Sequence, residues 1–454
     1  MRSVNIEHIF EPKSIAVVGA SQAKGKIGYE SMANASLYEG RVHPVNPSAS
    51  GTLFGQKFSE SVADVDDDVD LALVCVPASI VPDVIDDCAE AGVGGAVIHA
   101  GGFAEAGTEE GIELQAEITE KARNHDISLL GPNTSGFCRP GMDLFATFAA
   151  GVEKIPPGEV AILAQSGGVA HQIGFHAQRE GRGMSAMLGL GNRSNVGFKE
   201  VIEYFDEDSS TKAIVLHVEG TDDRDALMRA CSRAETPIVA FKIGKTDVNQ
   251  FADNHTGADI GDYETYIENF EEAGVQTVDS SIDLFDVGTT LARSTIPDRL
   301  NIGVVTAQAG PGIIISDRIQ RTGATLPDLS DETHERIEEI LAGITYTDNP
   351  VDTGRPMPEF GDVVEAVAND DQVDIVLVYE LFEEALGLPV ESIENITERH
   401  DKPLVFATEG PVEDMADDVQ AIKEAGVPVF TSPERGVEAA LAIVGQAEIA
   451  DRDH

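Results

Sequence analysis

Short, continuous apolar runs that end in glycine or proline recur along this chain, separated by stretches of helical length. SIAVVGAS (14–21), DLALVCVP (70–77), GGAVIHAGGF (94–103) and ISLLGPN (127–133) come first, with HPVNP (43–47) among them. An apolar run of this length without alternation predicts a strand buried on both faces. VPDVIDDCAEAGV, between two of the runs, spaces its apolar residues as an amphipathic helix does. Strands alternating with such helices predict a parallel, doubly wound α/β sheet.

The pattern restarts twice. A Pro/Gly-rich stretch, GVEKIPPGE (151–159), reads as a linker into EVAILAQSGG (159–168), MSAMLGLGN (184–192), TKAIVLHVEG (211–220) and TPIVAFKIGK (236–245). A third block opens with RLNIGVVTAQAGPG (299–312) and continues through VDIVLVYEL (373–381), KPLVFATEG (402–410) and GVPVFTSPE (426–434). The expected domains are therefore 1–150, 151–297 and 298–454, which suits a chain too long for one ordinary core. The second and third blocks share a plan of strand, glycine turn and helix, consistent with weak internal duplication.

Composition narrows the function. The net charge is −49, from 80 acidic against 31 basic residues, which disfavours nucleic-acid binding because a phosphate backbone would be repelled. The acids are spread along the chain rather than gathered in a tail, as on the solvated surface of a cytosolic enzyme from a high-salt environment. With no run of 18 apolar residues and no apolar signal core at the N-terminus, neither a membrane span nor export is expected, and the cytoplasm is the expected location. The four cysteines have no CxxC spacing, so neither a zinc site nor a disulfide framework is expected.

Candidate chemistry sits where strands end. IAVVGASQAKGKIGY runs a strand into a glycine turn and a helix, placing backbone N–H groups where phosphate can bind. A nicotinamide dinucleotide site also calls for an acid at the end of the second strand, and VHPVNPSA has none there. Lys24 and Lys26 suit a ligand with several phosphates, such as coenzyme A, with Gly19, Ser21 and Lys26 near its phosphates and Asn46-Pro47 beside the adenosine. AQSGGVAHQ repeats the geometry: Ser166, Gly167 and Gly168 stand at a helix N-terminus, a ready anion site. A nucleophile elbow is not indicated, because GxSxG is absent. VVTAQAGPG gives another such turn at Gly310 and Gly312.

Among the histidines, His171, His176 and His217 read as packing or surface residues, and His99 as the wall of a pocket. His255 differs. It lies in FADNHTGADIGDY, among turn-forming residues with no periodicity, in a loop bracketed by Gly244, Gly257 and Gly261. A neutral imidazole, with its pKa of about 6.5, offers a ring nitrogen that can attack phosphorus. Glu219, at the end of VLHVEG, is placed to accept the other ring N–H and fix the tautomer. A metal site is a poor alternative, for no second His or Cys stands at ligand spacing nearby.

Taken in order, VGAS, VNP, VPA, AGGF and GPN resemble the CoA-binding domain of ADP-forming (NDP-forming) acyl-CoA synthetases. QSGG, GLGN, VEG and HTGA resemble the second domain of that family, relatives of succinyl-CoA synthetase. TAQAGPG, NPVDT and GVPVFTSPE resemble the C-terminal domain of the acetate–CoA ligase alpha subunit. The resemblance implies a Rossmann-like CoA-binding domain followed by two flavodoxin-like domains of succinyl-CoA-ligase type. It adds Pro77, Gly131, Pro132 and Asn133 to the expected coenzyme A contacts. It further implies that His255 is transiently phosphorylated, that Glu219 steadies it, and that the helices opening at Ser166 and Gly310 grip the phosphate.

No ATP-grasp domain is expected in this chain, so the resemblance implies an alpha-type subunit. ATP or ADP with Mg would then bind an ATP-grasp beta-type partner, in a heterotetramer, and a small organic acid would be joined to CoA. Two departures leave a second reading open, a non-catalytic CoA-binding or regulatory protein on the same scaffold. Ala307-Gln308-Ala309-Gly310 replaces the family's Asn-Ala-Gly-Gly, and Asp259 and Ile260 follow HTGA where small apolar residues are usual.

Overall fold

The structure, a computed structural model, describes residues 5–221, 223–245, 261–341, 343 and 345–452. The chain divides into two compact units, Met1–Phe285 and Asp286–His454. His255, Asp259 and Ile260 lie outside the described residues.

The first unit begins with β1 (Ser14–Val18), β2 (Arg41–Val45), β3 (Thr52–Leu53), β4 (Gln56–Lys57), β5 (Leu71–Val74), β6 (Gly95–Ile98) and β7 (Ser128–Leu130). Five of them form a parallel sheet in the order β2-β1-β5-β6-β7, while β3 and β4 pair as a separate small hairpin. Every residue of β1, β5, β6 and β7 is buried, which is why these strands read as unbroken apolar runs. Beyond β2, Ser59 makes a parallel bridge to Val45. Counting that bridge as a vestigial third strand, the order becomes that of the dinucleotide-binding Rossmann sheet.

A second sheet follows: β8 (Gly136–Arg139), β9 (Leu144–Thr147), β10 (Pro157–Ala164), β11 (Met184–Gly189), β12 (Ala213–Val218), β13 (Ile238–Lys242) and β14 (Gln276–Thr277). Its order is β14-β13-β12-β10-β11-β8-β9. From β10 onward the strands are parallel in the flavodoxin-like order 2-1-3-4-5; β8 extends that sheet antiparallel to β11, and β9 pairs antiparallel to β8 at the edge. This hairpin precedes residue 151, yet it belongs to the second sheet.

The two sheets share a core. Phe10 meets Phe137 and Phe205 with ring centroids 5.0 and 5.2 Å apart. Buried Asn34, on the helix Ile27–Ala35, donates to the carbonyls of Thr147 and Ala149 at 2.7 and 2.8 Å. The stretch 151–159 is no free linker: Val152 and Ile155 are buried, and the chain enters β10 at Pro157. Two apolar anchors within nine residues are enough to hold it down.

In the second unit β15 (Ile302–Thr306), β16 (Val351–Asp352), β17 (Ile375–Leu381), β18 (Leu404–Glu409) and β19 (Val429–Phe430) form a parallel sheet, β16-β15-β17-β18-β19. This is again the 2-1-3-4-5 order. The architecture is thus α/β and doubly wound, with a Rossmann-like sheet followed by flavodoxin-like ones. Among the described residues, no helix is long and apolar enough to cross a membrane.

Candidate active site

Parallel α/β sheets place their ligands at the carboxyl ends of the strands, where loops turn into helices. At that edge of the first sheet, the β1 turn is tight. Gly19 has φ +84, and a Cβ there would lie 2.8 Å from the Cys75 carbonyl oxygen. Gly28, in the first turn of the helix Ile27–Ala35, has no room either, since its Cβ would meet the Gly19 carbonyl at 2.1 Å. Only glycines let the turn and helix close this far.

Ser21 Oγ accepts from Ala23 N at 3.1 Å, and Lys26, the exposed N-cap of that helix, points its charge outward from the same loop. Asn46, past the end of β2, spends its amide on structure: Nδ2 donates to the Ala20 carbonyl at 2.8 Å and Oδ1 accepts from Ser48 N at 2.9 Å. Pro47 follows it, and Pro77 caps the short 3-10 turn after β5. Gly19, Ser21, Lys26, Asn46, Pro47 and Pro77 therefore share one sheet edge. Cys75, expected inside a strand, lies one residue past β5, and burial pushes its thiol up to about 12.

The turn after β7 carries Gly131, at φ +98, then Pro132 through a cis peptide and Asn133 at φ 58. It leads into a cavity of about 220 Å³ lined by residues of both sheets. Asn133, Ser166, Gly167, Gly168 and Glu219, all singled out in the sequence, line it together. So do His99, Ser135, Phe148, Gln165 and Asn192, to which no binding role was given.

The helix Gly167–Arg179 opens at this cavity with Ser166 as N-cap, its hydroxyl accepting from Val169 N at 3.5 Å. Its first free N–H groups and the helix dipole favour an anion there. Gly167 sits against Ser135, whose Oγ would be 2.2 Å from a Cβ at that position. Glu219 stands just past β12 and is buried. Gln165 fixes it in place: its Oε1 accepts from the backbone N–H of Glu219 at 2.9 Å and of Gly220 at 3.1 Å. Behind, the buried Lys242 ammonium donates to the Glu219 carbonyl at 2.8 Å and lies 4.7 Å from the Tyr266 ring centre. Arg193 donates to the carbonyls of Gly191 and Gly220 at 3.0 and 3.3 Å, tying two loops of the site together.

His99 lies one residue past β6, in the cavity wall. Its Nδ1 lies 3.1 Å from the Thr134 carbonyl oxygen, and its ring stands edge-on to Phe148 at 5.2 Å. Burial pushes its imidazole down to about 4. Gly310 and Gly312 belong to the second unit, in the helix Ala309–Thr322, whose N-cap Gln308 makes no side-chain cap. Among the described residues, no group of three or more His, Cys, Asp or Glu is placed to hold a metal ion.

A family model described as a CoA binding domain matches residues 13–140, and one described as the succinyl-CoA ligase like flavodoxin domain matches 157–291. The fold and its cavity thus belong to the CoA-binding, succinyl-CoA-ligase-like class. The chain is 31% identical over 456 residues to the alpha subunit of the ADP-forming acetate–CoA ligase I of Pyrococcus furiosus, with 97% of each chain covered. It is 36% identical over 365 residues to the ADP-forming acetate–CoA ligase of Methanocaldococcus jannaschii, covering 79% of this chain and 50% of that one. A structure of an acetyl-coenzyme A synthetase of Ca. Korarchaeum cryptofilum, in complex with phosphate and ADP, superposes with a TM-score of 0.89 at 29% identity over 98% of both chains.

The chain belongs to the ADP-forming acetate–CoA ligase family. It spans about half to two thirds of the length of the first relatives it matches, at 50%, 65% and 63%.

Proposed function

We propose that this chain is the alpha-type subunit of an ADP-forming acyl-CoA synthetase, interconverting acid, CoA and ATP with acyl-CoA, ADP and phosphate. The observation that carries the reading is the cavity in which the edge of the CoA-binding-type sheet meets the Ser166–Gly168 helix N-terminus beside buried Glu219. Phosphate held by the N–H groups of Gly167 and Gly168 attacks the thioester carbonyl. The C–O bond forms, the C–S bond breaks, and the departing thiolate takes the phosphate's proton. A ring nitrogen of His255 then takes the phosphoryl group and the carboxylate leaves, while Glu219 orients the ring and stabilises its charge.

CoA lies along Gly19, Ser21, Lys26, Asn46, Pro47 and Pro77, with its thiol end entering by Gly131, Pro132 and Asn133. Gly310 and Gly312 supply a second phosphate-gripping helix end. Mg-nucleotide binds an ATP-grasp beta-type partner, most simply in a heterotetramer in the cytoplasm. The alternative, a non-catalytic CoA-binding protein, fits less well with a cavity that keeps both the anion-binding helix end and the buried carboxylate.

The test is direct. The chain incubated with acetyl-CoA and labelled phosphate should release CoA and acquire an acid-labile, base-stable phosphate that His255→Ala abolishes. CoA binding without thiol release or label would favour the non-catalytic reading.

A further inference from the structure

Three residues that line the 220 Å³ cavity each hold a buried polar side-chain atom without a hydrogen-bond partner among the described residues: His99 Nε2, Gln165 Nε2 and Ser135 Oγ. Their chemistry is fixed by what their other ends do. The Thr134 carbonyl can only accept, so His99 Nδ1 carries the ring proton and Nε2 is left as a lone pair. Gln165 Oε1 accepts two backbone N–H groups, so Nε2 is its donor end. The Ser135 hydroxyl can donate or accept. The residues lining the cavity therefore hold, within its wall, one acceptor, one donor and one group that serves as either.

The reacting groups of acyl transfer answer only part of this set. A thioester carbonyl and the ionised phosphate oxygens are acceptors, and they suit the Gln165 amide, the Ser135 hydroxyl and the N–H groups at Gly167 and Gly168; the one donor among the reacting groups, the phosphate hydroxyl, gives its proton to the departing thiolate. The His99 lone pair calls for a donor. It sits in a wall beside the Phe148 ring, where an unmet polar atom is costly. A plain alkyl acyl group would leave it unmet. A cavity of this volume holds on the order of seven water-sized groups, which beside phosphate leaves room for a short acyl chain.

We propose that His99 Nε2 accepts a hydrogen bond from a hydroxyl on the acyl group, so that the chain prefers short hydroxyacyl substrates over alkyl ones of the same length. The inference rests on the acyl-CoA reading above and specifies its substrate class. Because burial holds the imidazole near a pKa of about 4, the acceptor persists throughout neutral pH.

The experiment compares phosphate-dependent thiol release by the full chain from lactoyl-CoA, 3-hydroxypropionyl-CoA and propionyl-CoA, for the parent, His99→Leu and His99→Gln. For the parent, kcat/KM for at least one hydroxyacyl-CoA should exceed that for propionyl-CoA by about 10-fold or more. His99→Leu should bring the ratio to within about threefold of unity. His99→Gln, which keeps an acceptor near the Nε2 position, should retain part of the preference even if the leucine variant folds poorly. Equal rates in the parent would overturn the assignment. So would an equal loss on all three substrates in the variants, for then Nε2 meets the thiol or the phosphate. If the parent turns over no acyl-CoA at all, the catalytic reading fails and takes this one with it.

Discussion

The junction after β10 and the junction after β15 share a backbone plan and differ in chemistry. Gln165 N donates to the His217 carbonyl on β12 at 3.0 Å, and Ala307 N donates to the Tyr379 carbonyl on β17 at 3.1 Å. This aligns Gln165 with Ala307, and hence Glu219 with Leu381, two residues past each acceptor. A glutamine ties each turn to that aligned position: Gln165 Oε1 accepts from Glu219 N, and Gln308 Oε1 accepts from Leu381 N at 3.3 Å. At 219 the position carries a carboxylate only 6% exposed, and at 381 a leucine 46% exposed. Ser166 caps its helix with a hydroxyl, whereas Gln308 makes no such cap. The flavodoxin-like topology thus yields a helix N-terminus twice, but topology alone does not make a site. What surrounds the helix end decides it.

The largest expected difference lies at the aligned pair. Glu219→Gln, which keeps shape and loses charge, should slow incorporation of labelled phosphate from acetyl-CoA by about 10²–10⁴-fold. Leu381→Gln should leave the rate within about twofold. Initial rates of label uptake measure both, and equal losses would erase the distinction between the two junctions.

Next in size, the two units should respond to pH in opposite directions. Burial pushes His99 and His217 down to about 4, with the Lys242 charge adding to the shift at His217. Burial pushes Glu380 up to about 8, helped by Asp418 and Glu383. The unfolded chain protonates histidine near pH ~6.5, so the histidines' share of stability is complete above that and is lost as pH falls toward 4. Glu380 keeps a proton that the unfolded chain releases near pH ~4.3, so its share is complete below that and is lost as pH rises through 8. Each group is worth on the order of 3 kcal/mol across its window. Hydrogen exchange, corrected for intrinsic rates, should show β6 and β12 losing protection toward pH ~5 and β17 toward pH ~8. A common trend in all three strands would refute the contrast.

The smallest effect concerns the glycines. At Gly167 a Cβ would lie 2.2 Å from Ser135 Oγ and 2.7 Å from Ser135 Cβ, while at Gly310 nothing stands within 4 Å. Gly167→Ala should therefore cost about 1–3 kcal/mol through overpacking. Gly310→Ala should be neutral, or gain up to ~1 kcal/mol from helix propensity. Thermal unfolding of the two variants gives the comparison, and equal shifts would show that both helix ends are equally crowded.

What could be read from the chain alone was whatever is local. The strands β1, β5, β6 and β15 and most of β10, β12 and β17 read as apolar runs because parallel strands are buried on both faces. Glu219 and the Ser166–Gly168 turn were legible because each stands at a strand's carboxyl end. The two-residue strands β3, β4 and β16 escaped notice, since two residues carry no period. The β8–β9 hairpin precedes residue 151 yet pairs in the second sheet, and this was not legible, because which sheet an edge hairpin joins depends on a partner strand, β11, about fifty residues on.

The sequence by itself determined the alternation of strand and helix, the glycine turns and the family. Tertiary structure decided which strand ends meet. His99, Ser135, Gln165 and Glu219 come from four separate strand ends and face one cavity. Whether a buried polar atom is satisfied depends on every neighbour around it, and those neighbours lie far away along the chain. A lone pair at His99 with no partner among the described residues is therefore invisible in the order of residues, and only the packed site reveals it.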